Sequence, residues 1–355
     1  MTEKDVPVFV QPEQLTQYQN SDVVFVDAFE RQLKELFFID NPSHIGSDKA
    51  AAYLTEDFAT YQSTKERDFL HVYFPWNRHL IKTVPMNDFL RLKTNRNQDL
   101  ITADEQVRLR NYRVAVFGLS VGSNIALTLA QAGIANTMTL ADFDELDTTN
   151  LNRILAGIHE IGLNKAVVAA RHIYEGNPFA NVRAYTDGIS ADKLETLLAG
   201  KEIDCILDEV DDMPFKIHCR QLAMKYRIPV VMVTDNGDGV VLHVERYDLG
   251  HSKIFGKDFS YFESKLNAPM TKETAGRMIM EDIVGGISFV DPRMLSSVQR
   301  VLKHELVSWS QLGSAALLGG VVATIAIKDI VLQRDNTLDI RAHITPLHIT
   351  RSSHS

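Results

Sequence analysis

Between Arg113 and Gly133 the chain reads RVAVFGLSVGSNIALTLAQAG: an apolar run, a tight turn with glycines at 118 and 122, then a helix-forming stretch. A strand that passes through a glycine turn into a helix opens a parallel α/β sheet. The first glycine permits the turn, and the last lets the helix pack close on the strand. Such a turn aims backbone N–H groups and the positive end of a helix dipole at its occupant, which favours phosphate. The dinucleotide fingerprint is G-x-G-x-x-G, but here Ser120 takes the place of a middle glycine. The loop therefore leaves open whether its phosphate belongs to NAD or to another ligand.

Strand and helix patterns alternate from that point. RVAVFG, TMTLADFD, NVRAYT, IDCILDEV and PVVMVTD read as strands, separated by helices over Ser123–Ala132, Lys165–Glu175, Ala191–Leu198 and Phe215–Tyr226. Short apolar strands between helices predict a Rossmann-like α/β fold, a doubly wound and mostly parallel sheet covered on both faces. Residues 1–90 are mixed and rich in aromatics, as expected of a small α+β extension. After Asp248 the alternation fades into LGHSKIFGKDFSYFESKLNAPM, which reads as a long connection or mobile lid. Helical stretches follow at Pro292–Leu306 and Gln311–Leu332, and the polar tail ITRSSHS is expected to fray.

Composition narrows the class. With 355 residues, 45% of them apolar, 23% charged and a net charge of −9, the chain suits a soluble globular protein and has no segment basic enough to suggest a nucleic-acid groove, although a specific RNA site stays open. Cys205 and Cys219 are the two cysteines, too few for a disulfide framework or a structural zinc site. MTEKDVPVFV has no apolar run behind a basic start, so a cytoplasmic location without a signal peptide is expected. Leu312–Ile327 is apolar but shorter than the roughly 20 residues that span a bilayer. It reads as a buried core helix whose small residues also suit a dimer contact.

Downstream of the loop the charges become specific. Asp142 ends the second strand 20 residues after Gly122, where a carboxylate can accept hydrogen bonds from both ribose hydroxyls. Asn150, Arg153 and Lys165 follow within 23 residues. Arg153 and Lys165 can each neutralise a phosphate oxygen, and Asn150 can orient one. The density suits a triphosphate better than NAD; the alternative is two solvated surface cations and a helix cap. ILDEVDDMPFK brings Asp208, Glu209, Asp211 and Asp212 to the carboxyl edge of the sheet. One of them could hold Mg²⁺ beside the phosphates, or the cluster could cap the next helix.

GLSVGSNIAL, LADFDELDTTNLNRI, GLNK, DEVDDMPFK and QLAMKYRIPVVM, in that order, resemble the ThiF/MoeB/HesA group of ubiquitin-activating-enzyme-like adenylyltransferases, over roughly residues 91–332. The resemblance implies an adenylation domain over 91–355. Its nucleotide-binding half would lie at about 110–248 and its substrate and dimer half at about 249–355. It implies that Gly118, Ser120, Gly122, Asp142 and Asp144 line the nucleotide, that Asn150, Arg153 and Lys165 hold the ATP phosphates, and that Asp211 holds Mg²⁺. Arg96, in TNRNQDLI, resembles the arginine that family dimers insert into the neighbouring subunit's ATP site. Asp212 stands where the family commonly has Asn, and the paired Cys-x-x-Cys zinc motif of many members is missing.

The implied reaction is attack by a carboxylate on the α-phosphate, giving an acyl adenylate and pyrophosphate. A carboxylate is already ionised, so no general base is required, and catalysis rests on positioning and charge stabilisation. The carboxylate could be the C-terminus of a ubiquitin-like carrier or peptide, or a small acid. No cysteine follows Asp248 to form a thioester. Cys205 and Cys219 read as structural, and His218, His243 and His251 lack metal-ligand spacing. Two other readings stay open: an NAD(P)-dependent oxidoreductase, and a non-catalytic nucleotide-binding scaffold.

Overall fold

The computed structural model describes residues 1–18, 22–46, 49–266, 270–333 and 340–345, so the tail ITRSSHS lies outside the described residues. Two compact units emerge. One comprises Met1–Val107 with Arg171–Ala180, and the other comprises Arg108–Ala170 with Asn181 onward.

The N-terminal unit holds β1 (Val8–Val10), β2 (Val24–Asp27), β3 (Leu70–Phe74) and β4 (His79–Thr83) in the order β1-β3-β4-β2. The helix Phe29–Asp40 buries Phe29, Leu33, Leu36 and Phe37, a three-and-four spacing that gives it one apolar face, and three of these pack with Val84. Thr55 caps the helix Glu56–Lys65 by accepting from Phe58 N at 3.2 Å. The unit is α+β, as the sequence pattern predicts, but it runs past residue 90 to Val107 and takes in Arg171–Ala180 from the region assigned to the adenylation domain.

The second unit is built on β5 (Arg113–Phe117), β6 (Thr137–Ala141), β7 (Asn181–Tyr185), β8 (Cys205–Asp208), β9 (Val230–Asn236), β10 (Gly239–Glu245) and β11 (Ile340–Ile344). Their order is β11-β10-β9-β8-β5-β6-β7, with β5 to β9 parallel and the last two antiparallel. The chain enters at β5, moves outward to β7, then returns to β8 on the other side of β5. The carboxyl ends of β5 and β8 thus form the switch point at which doubly wound sheets take ligands.

Two expectations need correction. The sequence reading stops the sheet at β9, but Asn236–Gly239 turns the chain back into β10, whose seven residues are all buried. The residues after Asp248 are not a free lid. Ile254, Phe255 and Phe262 are buried against Met213, Ile217 and Met232, because the helix Phe259–Leu266 supplies an apolar face that the serines and lysines around it disguise. Further on, the helices run Pro292–Leu302 and Gly313–Leu332. The latter is long and apolar enough to cross a membrane, yet it lies against β9, β10 and the helix Val121–Gln131, with Gly319 and Gly320 at the close approach.

Candidate active site at the switch point

The loop after β5 is shaped by its glycines. Gly118 has φ of +83°, and a Cβ there would lie 2.4 Å from the Glu209 carbonyl oxygen. At Gly122 a Cβ would come within 2.9 Å of Val116 Cγ1, so helix Val121–Gln131 sits directly on β5. Ser120 does the work of neither. Its Oγ accepts from Arg153 Nε at 3.0 Å, which ties the loop to the first cation predicted for phosphate.

Asp142, at the end of β6, is buried. Its Oδ2 accepts from Leu119 N at 2.6 Å and its Oδ1 from Asp144 N at 2.8 Å. Burial pushes its carboxyl above the usual range, against the pull of those N–H groups and of Lys165. Each oxygen keeps acceptor capacity, so a ribose remains compatible. Lys165 opens the helix Lys165–Gly176, is itself buried, and donates to Asp144 Oδ2 at 2.7 Å. Arg153 is half-buried, and its guanidinium also donates to Thr149 O and Asn152 Oδ1. Burial lowers its pKa while Asp235 and Asp211 raise it, which puts both acids within electrostatic reach. Burial removes the solvated-surface alternative for Lys165, while Arg153 remains half-exposed.

Asn150 is buried in the short helical turn Thr148–Asn150, and its Oδ1 accepts from Asp147 N at 3.0 Å. The capping alternative is thus realised for its oxygen. The four acids after β8 divide by burial. Asp208 is fully buried between Lys216 Nζ at 3.2 Å and Arg220 at 2.5 Å, and these cations hold its carboxyl below the usual range against the upward push of burial. Asp212 caps the helix Met213–Tyr226 by accepting from Phe215 N at 2.9 Å. Glu209 Oε1 accepts from Val233 N at 2.8 Å. Asp211 is exposed at the same sheet edge. Arg96 belongs to the N-terminal unit, exposed on the turn Asn95–Asn97.

A model of the ThiF family matches residues 92–349. The chain belongs to the ThiF family. Among relatives, an uncharacterized protein of Mycobacterium tuberculosis is 41% identical over 177 residues, which are 50% of this chain and 24% of that one. The ThiS adenylyltransferase of Escherichia coli is 29% identical over 159 residues, 44% of this chain and 62% of that one. The chain thus spans less than two thirds of the length of either of these relatives. Among solved structures, PaaA aligns with a TM-score of 0.53 at 20% identity, covering 89% of this chain and 94% of that one. The E. coli tRNA threonylcarbamoyladenosine dehydratase TcdA, in complex with AMP, gives 0.51 at 18%, covering 71% and 99%. Both likenesses concern the fold.

Within the ThiF sheet, Asn164 and Asp235 escaped the sequence reading, and Glu209 is named there without its role. Asn164 Nδ2 donates to the carbonyls of Asp142, Asp144 and Thr186 at 2.9, 3.2 and 3.2 Å, so it fixes the loop that carries both acids. Its place directly before Lys165 was the available signal. Glu209 reads as one acid among four, and its link to Val233 depends on a strand 24 residues away. Asp235, at the end of β9, reads only as a strand terminus. Cys205 and Cys219 are fully buried with thiols pushed up by burial, which suits structural residues. His243 is a core residue bonded to Ile283 O at 2.8 Å, and burial holds it down to about 3.

Proposed function

We propose that the chain is a cytoplasmic, homodimeric, Mg²⁺- and ATP-dependent adenylyltransferase that activates a carboxylate as its acyl adenylate. One observation carries the reading. Two cations, the half-buried Arg153 on Ser120 and the buried Lys165 on Asp144, are held beside a glycine loop at the switch point of a ThiF sheet. A nicotinamide enzyme would use Gly118, Gly122 and Asp142 and leave both cations idle. The names of relatives point the same way: a ThiS adenylyltransferase of E. coli and a probable adenylyltransferase/sulfurtransferase of M. tuberculosis.

In this reading Asp142 binds the ribose, with Gly118, Ser120, Gly122 and Asp144 lining the nucleotide, and Asn150, Arg153 and Lys165 gripping the phosphates. A carboxylate oxygen of the substrate attacks the α-phosphorus, and the bond to the bridging oxygen breaks as pyrophosphate leaves with the electron pair. Arg153 and Lys165 stabilise the charge that grows on the departing oxygens. Because they are already held, they need little reorganisation at the moment of reaction. Asp211 would hold Mg²⁺, which when bound neutralises phosphate charge. Residues 110–248 form the nucleotide-binding half and 249–355 the half that meets substrate and partner copy. Arg96 completes the site of the partner copy.

The test is ATP–pyrophosphate exchange over a panel of carboxylates. Arg153→Ala and Lys165→Ala should each lower the exchange rate roughly 10²–10³-fold, as the loss of one preorganised donor does elsewhere. Tight NAD binding without ATP binding would replace this reading with an oxidoreductase. ATP binding with no exchange for any carboxylate would leave a scaffold.

A further inference from the structure

Among the described residues, three side-chain polar atoms are buried with no hydrogen-bond partner, and all three are acceptors: Asn124 Oδ1 and both carboxylate oxygens of Asp235. They sit on elements that meet. Asp235 lies two residues beyond Val233 on the same face of β9, toward the carboxyl edge, whereas Asn124 lies one turn beyond Val121 on a helix that runs back from that edge. Val233 Cγ1 and Val121 Cγ1 are 3.1 and 3.2 Å from the place a Cβ would take at Gly319. Both acceptors also border Arg153. Asn124 Nδ2 donates to the Arg153 carbonyl at 2.8 Å, and Asp235 feels the Arg153 charge.

Arg153 nevertheless turns its guanidinium to Ser120, Thr149 and Asn152, so Asp235 has a cation nearby and no donor. Burial pushes its carboxyl up to about 6, the response of an acid stripped of water. A buried polar group without a partner costs free energy of folding, and a site that retains one is completed by something else. Two unpartnered oxygens that share one carboxylate charge call for a cation that carries several N–H donors. Mg²⁺ fits poorly, since it keeps several waters and Asp235 is only 6% exposed.

We infer that Asp235 forms a subsite for a primary ammonium group beside Arg153, carried either by the carboxylate substrate or by the acyl acceptor. The inference rests on the adenylation reading above and adds the class of group that the site recognises. It makes Asp235 a binding residue that selects amine-bearing molecules.

The experiment compares the full-length wild type with Asp235→Asn, which keeps shape and removes charge. ATP–pyrophosphate exchange is measured with free amino acids and their N-acetyl partners, and amide formation with glycinamide as acceptor. If the amine belongs to the substrate, KM for the free amino acids rises roughly 10- to 100-fold in Asp235→Asn, the scale of a charged hydrogen bond, while N-acetyl acids are unaffected. If it belongs to the acceptor, exchange is unchanged and KM for glycinamide rises instead. In either case Mg·ATP affinity by calorimetry stays at the wild-type value. An activity-free readout runs alongside: the ¹³C carboxyl resonance of Asp235 in the wild type shifts saturably with glycinamide. Unchanged KM values with a static resonance would overturn the inference. A loss of Mg·ATP affinity in Asp235→Asn would also overturn it, by assigning the carboxylate to the nucleotide. If no acid supports exchange in the wild type, the adenylation reading falls and the resonance alone decides the subsite. The same holds if Asp235→Asn fails to fold.

Discussion

Single atoms decide two outcomes at the switch point. At Gly118 an added methyl would meet the Glu209 carbonyl in a backbone conformation with positive φ that other residues resist. Gly118→Ala is therefore expected to lower stability by about 3 kcal/mol, seen as a fall in melting temperature, and to weaken ATP binding in calorimetry. Asp235 gives a pH signature. Its carboxyl rises from 3.8 toward about 6 on folding, so the folded chain holds a proton through that window that the unfolded chain has released. Stability then falls as pH climbs between about 4 and 6, by about 3 kcal/mol in all for a shift of this size. Burial drives the shift, and the charged group acting on it is Arg153, which opposes it. Urea unfolding should show Asp235→Asn more stable than wild type at pH 7 and level with it near pH 4. An equal gap at both pH values would refute the assignment.

Between elements, β8, the helix Met213–Tyr226 and β10 are joined by buried charge. Arg220 is fully buried, donates to Asp208 Oδ2 at 2.5 Å and through Nε to Glu245 Oε2 at 2.6 Å, and Glu245 Oε1 accepts from Tyr247 Oη and Phe255 N. Arg220→Met would leave Glu245 without its cation and Asp208 with Lys216 alone, and should lower the free energy of unfolding by about 3–5 kcal/mol, measured by denaturant titration. ILDEVDDMPFK does not say which of its acids its own Lys216 pairs with, and the second partner of Asp208, Arg220, lies beyond it on the next helix. That is why the parallel strands, the glycine loop and the spacing of Asp142, Arg153 and Lys165 were legible in the sequence while the division of labour among the acids was not. Local periodicity writes the first set into neighbouring residues. The second set, like the packed segment after Asp248, depends on contacts between elements distant in the chain, whereas the β9–β10 hairpin is local and its Asn236-Gly237 turn between two apolar runs is a signal that the strand reading passed over.

At the scale of the whole molecule the helix Gly313–Leu332 is apolar all round, which a single buried face does not explain. Ala315, Ala316, Gly319, Gly320 and Ala323 are buried, whereas Leu317, Val321 and Ile325 stand four residues apart with 48, 47 and 46% of their surface exposed. Trp309 and Leu312, just before the helix, are exposed as well. A stripe of this kind suits a two-fold contact in which the same face of each copy meets itself. In the homodimer proposed above, this stripe is the seam. Wild type should then sediment as a dimer at micromolar concentration, and Leu317→Glu with Val321→Glu should yield a monomer whose ATP affinity is retained. Sedimentation of the wild type as a monomer would refute the assembly. If Arg96 of one copy serves the site of the other, mixing inactive Arg96→Ala and Lys165→Ala chains creates mixed dimers with one intact site each. Exchange activity should recover to roughly a quarter of wild type under random pairing. No recovery, with mixed dimers present, would keep Arg96 out of the partner's site even if the seam is right.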